Sequence, residues 1–157
     1  MIILIVFLFA CSDNRPSPVV QGSKEGAIHD FELKDPDGKR FRLSEQQGNP
    51  VLIIFSTTWC PTCRSEIPHY KKIHETYAGK GLVVVNIDIQ ESQDKVSRFV
   101  GKYQLPYRVL LDETGLVAEA YGIVGVPTMI LIDQNGALVS RHYNEIDDRL
   151  NTLLKGA

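Results

Sequence analysis

The sequence predicts an α/β domain built on a mixed β-sheet, parallel in its first half and antiparallel in its last. Three observations carry this expectation. Two apolar runs, Val51-Leu52-Ile53-Ile54-Phe55 and Leu82-Val83-Val84-Val85-Asn86-Ile87, read as strands buried on both faces. The stretch between them repeats apolar residues near a 3.6 period, which makes a right-handed strand–helix–strand unit. Turn chemistry separates short apolar–polar alternations near both ends of the chain.

Each element has its own signal. Phe31-Glu32-Leu33 and Phe41-Arg42-Leu43 flank Asp35-Pro36-Asp37-Gly38, an N-terminal β-hairpin with its turn residues at the tip. Ser44 is placed to cap a short helix that stops at Gly48. After the first buried strand, Cys63, Ile67, Tyr70, Ile73 and Tyr77 define the inner face of a helix that ends at Gly79 and Gly81. After the second strand, Val96, Phe99, Val100 and Tyr103 share one side of another helix, with Ser92 as its cap. Val109-Leu110-Leu111 reads as a short strand, followed by a short helix from Gly115 to Tyr121. Thr128-Met129-Ile130-Leu131-Ile132 and Ala137-Leu138-Val139 pair across the turn Asp133-Gln134-Asn135-Gly136. Ile146, Leu150, Leu153 and Leu154 give a closing amphipathic helix.

Size and charge bound the function. The chain has 157 residues, which suits one domain. A hydrophobic fraction of 43% supplies a core and argues against disorder. The net charge of −2 gives no basic excess to suggest a nucleic acid partner. Three cysteines are too few for a disulfide scaffold.

The first segment reads as an address. Residues 2–10 carry no polar side chain. As a helix at ~1.5 Å per residue they cover ~14 Å, short of a ~30 Å hydrocarbon core. That length fits residues 1–10 as a signal peptide. No Lys or Arg precedes the run, a departure from the usual pattern. Leu8-Phe9-Ala10-Cys11 resembles the bacterial lipobox, which implies lipid on Cys11 and a membrane-anchored, extracytoplasmic protein. Residues 11–26 read as a flexible tether and 27–157 as the folded domain. An uncleaved anchor and a buried N-terminal strand are the alternatives.

The chemistry concentrates in Trp59-Cys60-Pro61-Thr62-Cys63, where a buried strand hands over to a helix. Unpaired N–H groups and the helix dipole at that point favour a thiolate on Cys60. A thiolate is the species that attacks a disulfide. Pro61 costs little at a first helical position, and the two-residue spacer turns Cys63 back toward Cys60. Cys60 is the expected nucleophile and Cys63 the resolving thiol. A zinc site adding His69 and His74 is a weak competitor, because all four ligands would fall on one helix or its start. A purely structural disulfide is the other.

Trp59-Cys60-Pro61-Thr62-Cys63-Arg64-x-Glu66 resembles the thioredoxin-like reductases TlpA, ResA and CcmG (also called DsbE), over roughly residues 28 to 143. Gly125-Val126-Pro127-Thr128 is similar to the family's second signature. The resemblance implies a thioredoxin-like fold with a central αβ insertion and a Cys60–Cys63 redox disulfide. No cofactor beyond that disulfide and no metal are expected. The resemblance also implies a cis Val126–Pro127 bond beside that pair, with Trp59, Pro61, Thr62, Val126 and Pro127 touching clients. Glu66 matches a glutamate that governs thiol protonation; thioredoxin's buried aspartate is here replaced by Ile54. Pro68 matches a helix-kinking proline. Client proteins with disulfides, apocytochrome c among them, and a membrane thiol-reductase donor are the implied partners.

Two rival functions fit less well. A peroxiredoxin-like peroxidase needs Pro-x-x-x-Thr/Ser-x-x-Cys; Thr57 fits, but Ile53 stands where the proline belongs. A copper-binding module of this fold uses Cys-x-x-x-Cys-Pro, one residue longer than the spacing here.

Overall fold

The computed structural model describes residues 28–155. The expected signal segment, Cys11 and the tether lie outside the described residues. No helix among the described residues is long and apolar enough to cross a membrane.

Among the described residues seven strands form one sheet: β1 (Glu32–Lys34), β2 (Arg40–Arg42), β3 (Val51–Ser56), β4 (Val83–Ile89), β5 (Arg108–Asp112), β6 (Thr128–Ile132) and β7 (Leu138–Ser140). Their spatial order is β2-β1-β5-β4-β3-β6-β7. β3 runs parallel to β4, and β4 to β5. The remaining pairings are antiparallel. The parallel part is therefore the centre of the sheet, with an antiparallel hairpin on each flank. The N-terminal hairpin docks through Lys34 opposite Leu111.

Both hairpin turns are closed by an aspartate. Asp35 Oδ1 accepts from the N–H of Lys39 at 2.8 Å and of Asp37 at 3.1 Å. Asp133 Oδ1 does the same for Ala137 at 2.8 Å and Asn135 at 2.9 Å. Such side-chain turns are why Asp-rich segments between strands read as hairpins. Arg108 then donates to Asp35 Oδ2 at 2.9 Å and fastens the first hairpin to β5.

β3 explains the two cores. All six of its residues are buried, and alternate side chains point to opposite faces. Leu52 and Ile54 pack with Tyr70, Ile73 and Tyr77 on one side. Val51, Ile53 and Phe55 pack with Phe31, Phe41, Val117 and Tyr121 on the other. Fully burying one such apolar side chain is worth roughly 1.5–3 kcal/mol, so neither layer is optional. The first face is covered by α2 (Ile67–Tyr77), α3 (Gln93–Tyr103) and α5 (Ile146–Leu153); the second by α4 (Leu116–Ala120) and the chain before β1.

Two local expectations are corrected. The helix after β3 is broken more fully than the kink expected at Pro68: α1 (Pro61–Ser65) stops before Glu66, and α2 starts anew with Pro68 at its second position. Pro68 lacks the N–H that a continuous helix would need there. Ser44 is not a cap. It lies inside a single 3-10 turn, Leu43–Gln46, and its N–H donates to Asp30 at 2.8 Å.

Candidate active site at the end of the central strands

Strands β3 and β4 finish side by side, with Ser56 opposite Asp88. In open α/β sheets the crevice beyond the carboxyl ends of parallel strands is where sites form. Thr57, Thr58 and Trp59 leave β3 there, and Cys60 takes the N-cap position of α1. Trp59 is 62% exposed, whereas Cys60 and Cys63 are 5% and 4% exposed. The two sulfurs are joined as a disulfide with the Cα atoms 5.3 Å apart. Pro61 opens the helix, and Thr62 lies exposed beside it.

The environment of Cys60 is local. Its Sγ accepts from the Cys63 N–H at 3.1 Å. α1 spans five residues, so it sums fewer peptide dipoles than the longer helix read from the sequence. The Cys63 N–H is placed to support charge on this sulfur once the disulfide is reduced. The Val126–Pro127 bond is cis, and the Val126 carbonyl oxygen lies 3.8 Å from Cys60 Sγ. Residues 66 positions apart are thus neighbours, as the second signature implies.

Glu66 sits at the junction of α1 and α2. Its carboxylate accepts from the Tyr143 hydroxyl and lies 3.5 Å from His69 Nδ1. It makes no hydrogen bond to either sulfur. The other nitrogen of His69 is 3.1 Å from both Asp147 oxygens. Burial pushes the Tyr143 hydroxyl up, and its bond to Glu66 adds to this, so Tyr143 stays a donor at neutral pH. Among the described residues no three His, Cys, Asp or Glu side chains group as metal ligands. His69 is engaged with α5 and the turn before it.

A pair of acids beside the redox loop, Asp88 and Glu91, carries no motif in the sequence. Glu91 follows β4 and reaches under the redox loop. Its two oxygens accept from Thr58 N–H at 2.5 Å and Thr58 Oγ1 at 2.7 Å, and Lys95 pairs with it. Burial pushes the Glu91 carboxyl up, but its bonds from Lys95 and Thr58 outweigh that and hold it below the usual range. Asp88 beside it is 2% exposed. Burial and a hydrogen bond with Glu91 push Asp88 up to about 8. It is protonated at neutral pH, and its other oxygen has no partner among the described residues. Arg64 completes the support by donating to the carbonyls of Thr58 and Trp59, each at 3.1 Å. The available signal was two acids clustered where an apolar strand ends.

The comparisons with known proteins agree with this geometry. The family model described as the AhpC/TSA family matches residues 25–141. The thiol–disulfide oxidoreductase ResA of Halalkalibacterium halodurans is 33% identical over 76% of this chain and 68% of its own. The thioredoxin-like protein YneN of Bacillus subtilis is 35% identical over 77% of this chain and 72% of its own. The chain spans between about 62% and 72% of the length of the curated relatives it matches. A Chlorobium tepidum structure assigned as a thiol:disulfide interchange protein DsbE superposes with a TM-score of 0.77. It is 26% identical, and the match covers 84% of this chain and 98% of that one. Fold, paired cysteines and relatives converge: the chain belongs to the AhpC/TSA family, with thiol–disulfide oxidoreductases of ResA type among its relatives.

Proposed function

We propose that this chain is an extracytoplasmic thiol–disulfide oxidoreductase that reduces disulfides in client proteins, including apocytochrome c before haem attachment. The observation that carries the reading is the Cys60–Cys63 pair at the start of α1, beside the Val126 carbonyl. The Cys60 thiolate attacks one client sulfur, the client S–S bond breaks, and the displaced client thiolate takes a proton from water. Cys63 loses its proton and attacks Cys60 Sγ. This releases the second client thiolate and leaves the Cys60–Cys63 disulfide. Two electrons have passed to the client, and a membrane thiol reductase returns them. The proton from Cys63 goes to Glu66, one helical step on, once its carboxylate turns from Tyr143. Trp59, Thr62 and the Val126–Pro127 segment form the client contact, with the Val126 backbone pairing to an extended strand. Lipid on Cys11 and the 11–26 tether hold the domain at the membrane.

The test uses an oxidised peptide carrying Cys-x-x-Cys-His, the haem attachment sequence. The reduced protein turns it over, and Cys63→Ser accumulates a mixed disulfide through Cys60. A couple potential near about −120 mV, where strong oxidants of this kind lie, would reverse the direction. An absent mixed disulfide would remove the exchange mechanism.

A further inference from the structure

The side of α3 that faces the redox loop carries two cations, Arg98 and Lys102, that neither the exchange reaction nor the core uses. Lys95, Arg98 and Lys102 recur at three- and four-residue spacing, which puts them on one helix side. Phe99 and Tyr103 lie among them with ring centroids 4.6 Å apart. These five side chains, with Arg64 of α1 and Thr58, line one open cavity of about 260 Å³. Arg64 also donates to the Thr58 and Trp59 carbonyls, so the cavity begins at the backbone that leads into Cys60.

Charge distinguishes the cavity. The whole chain carries a net charge of −2, yet four cations meet here. Lys95 is paired with Glu91. Arg98 and Lys102 form no ion pair among the described residues. Lys102 Nζ lies 5.4 Å from the Tyr103 ring centroid, which leaves its ammonium free to bind an anion as well.

We propose that this groove docks an acidic segment of the client chain. Asp or Glu side chains next to the client's reacting cysteine pair with Arg98 and Lys102, while an apolar neighbour lies against Phe99. The inference rests on the reductase reading and names the sequence class that reading leaves open. A client peptide is favoured over a lipid surface because the open groove is part aromatic and continuous with the redox loop. Complementary charge of this kind speeds encounter and is screened by salt.

The experiment compares two disulfide peptides of one core sequence, one flanked by Asp and Glu, the other by Lys. The kcat/KM ratio, acidic over basic, is measured at low salt and at about 300 mM salt, for the natural chain and for R98E/K102E. The natural chain is expected to favour the acidic peptide on the order of tenfold at low salt. The ratio should approach one at high salt and invert in the double variant. A ratio near one at low salt overturns the groove, as does an acidic preference that survives R98E/K102E. Sedimentation with phosphatidylglycerol vesicles that the variant loses, without peptide preference, also overturns it and assigns the cations to lipid. An uncharged small disulfide separates the two readings: if the natural chain reduces none of the three disulfides, the reductase reading itself fails.

Discussion

Replacing Asp88 with asparagine should alter how stability depends on pH. Asp88 is buried at the end of β4, and its carboxyl is pushed from 3.8 up to about 8, first by burial and then by its bond to Glu91. Between about pH 5 and 7 the unfolded chain has this group ionised, while the folded protein keeps it protonated. Folding therefore takes up a proton. The group's favourable contribution is complete below 3.8 and is lost as pH rises through about 8. Within that window each pH unit costs ~1.4 kcal/mol, so two units remove ~3 kcal/mol. The amide of Asp88→Asn donates to Glu91 in place of the carboxylic proton and does not titrate. The variant should gain ~3 kcal/mol on the natural chain between about pH 5 and 7. Urea denaturation of both proteins at matched salt, disulfide intact, measures this. Parallel stability curves would show that Asp88 is ionised in the folded state and refute the reasoning.

Two further outcomes test other parts of the structure. Glu66→Gln removes the proposed proton acceptor, so client reduction at neutral pH should fall on the order of 100-fold with a displaced pH profile; an unchanged profile removes Glu66 from the mechanism. Leu131→Ala empties a fully buried position on β6 and should cost ~2–5 kcal/mol in denaturant melts; a loss below ~1 kcal/mol would mean that the surrounding core collapses to fill the space.

What the sequence reveals depends on the range of the interaction. β3, β6 and the two hairpins announce themselves through apolar runs and turn residues, both local properties. The buried face Cys63, Ile67, Tyr70, Ile73 and Tyr77 is also correct. Its period runs unbroken across Glu66, and Pro68 alone marks the restart of the helix there. The approach of Val126 to Cys60 was legible because two motifs of one family imply it. Glu91 and Thr58 lie 33 residues apart and share no motif, so their bond becomes visible once β3 and β4 are aligned. The same holds for Tyr143, whose hydroxyl finds Glu66 across 77 residues. The Asp35–Arg108 pair that joins the first hairpin to β5 is likewise a contact between side chains 73 positions apart.

The sheet has two rims, β2 and β7, each three residues long. On β2, Arg40 is bound to Glu32 and Glu45, and Arg42 to Asp30. On the other side the pairing of β6 with β7 is interrupted between Leu131 and Ile132. Short, charged or irregular rims leave little free backbone for a stranger's strand to zip onto. Crowded copies of this domain therefore resist stacking into fibrils, and an incoming extended chain is steered away from the flanks.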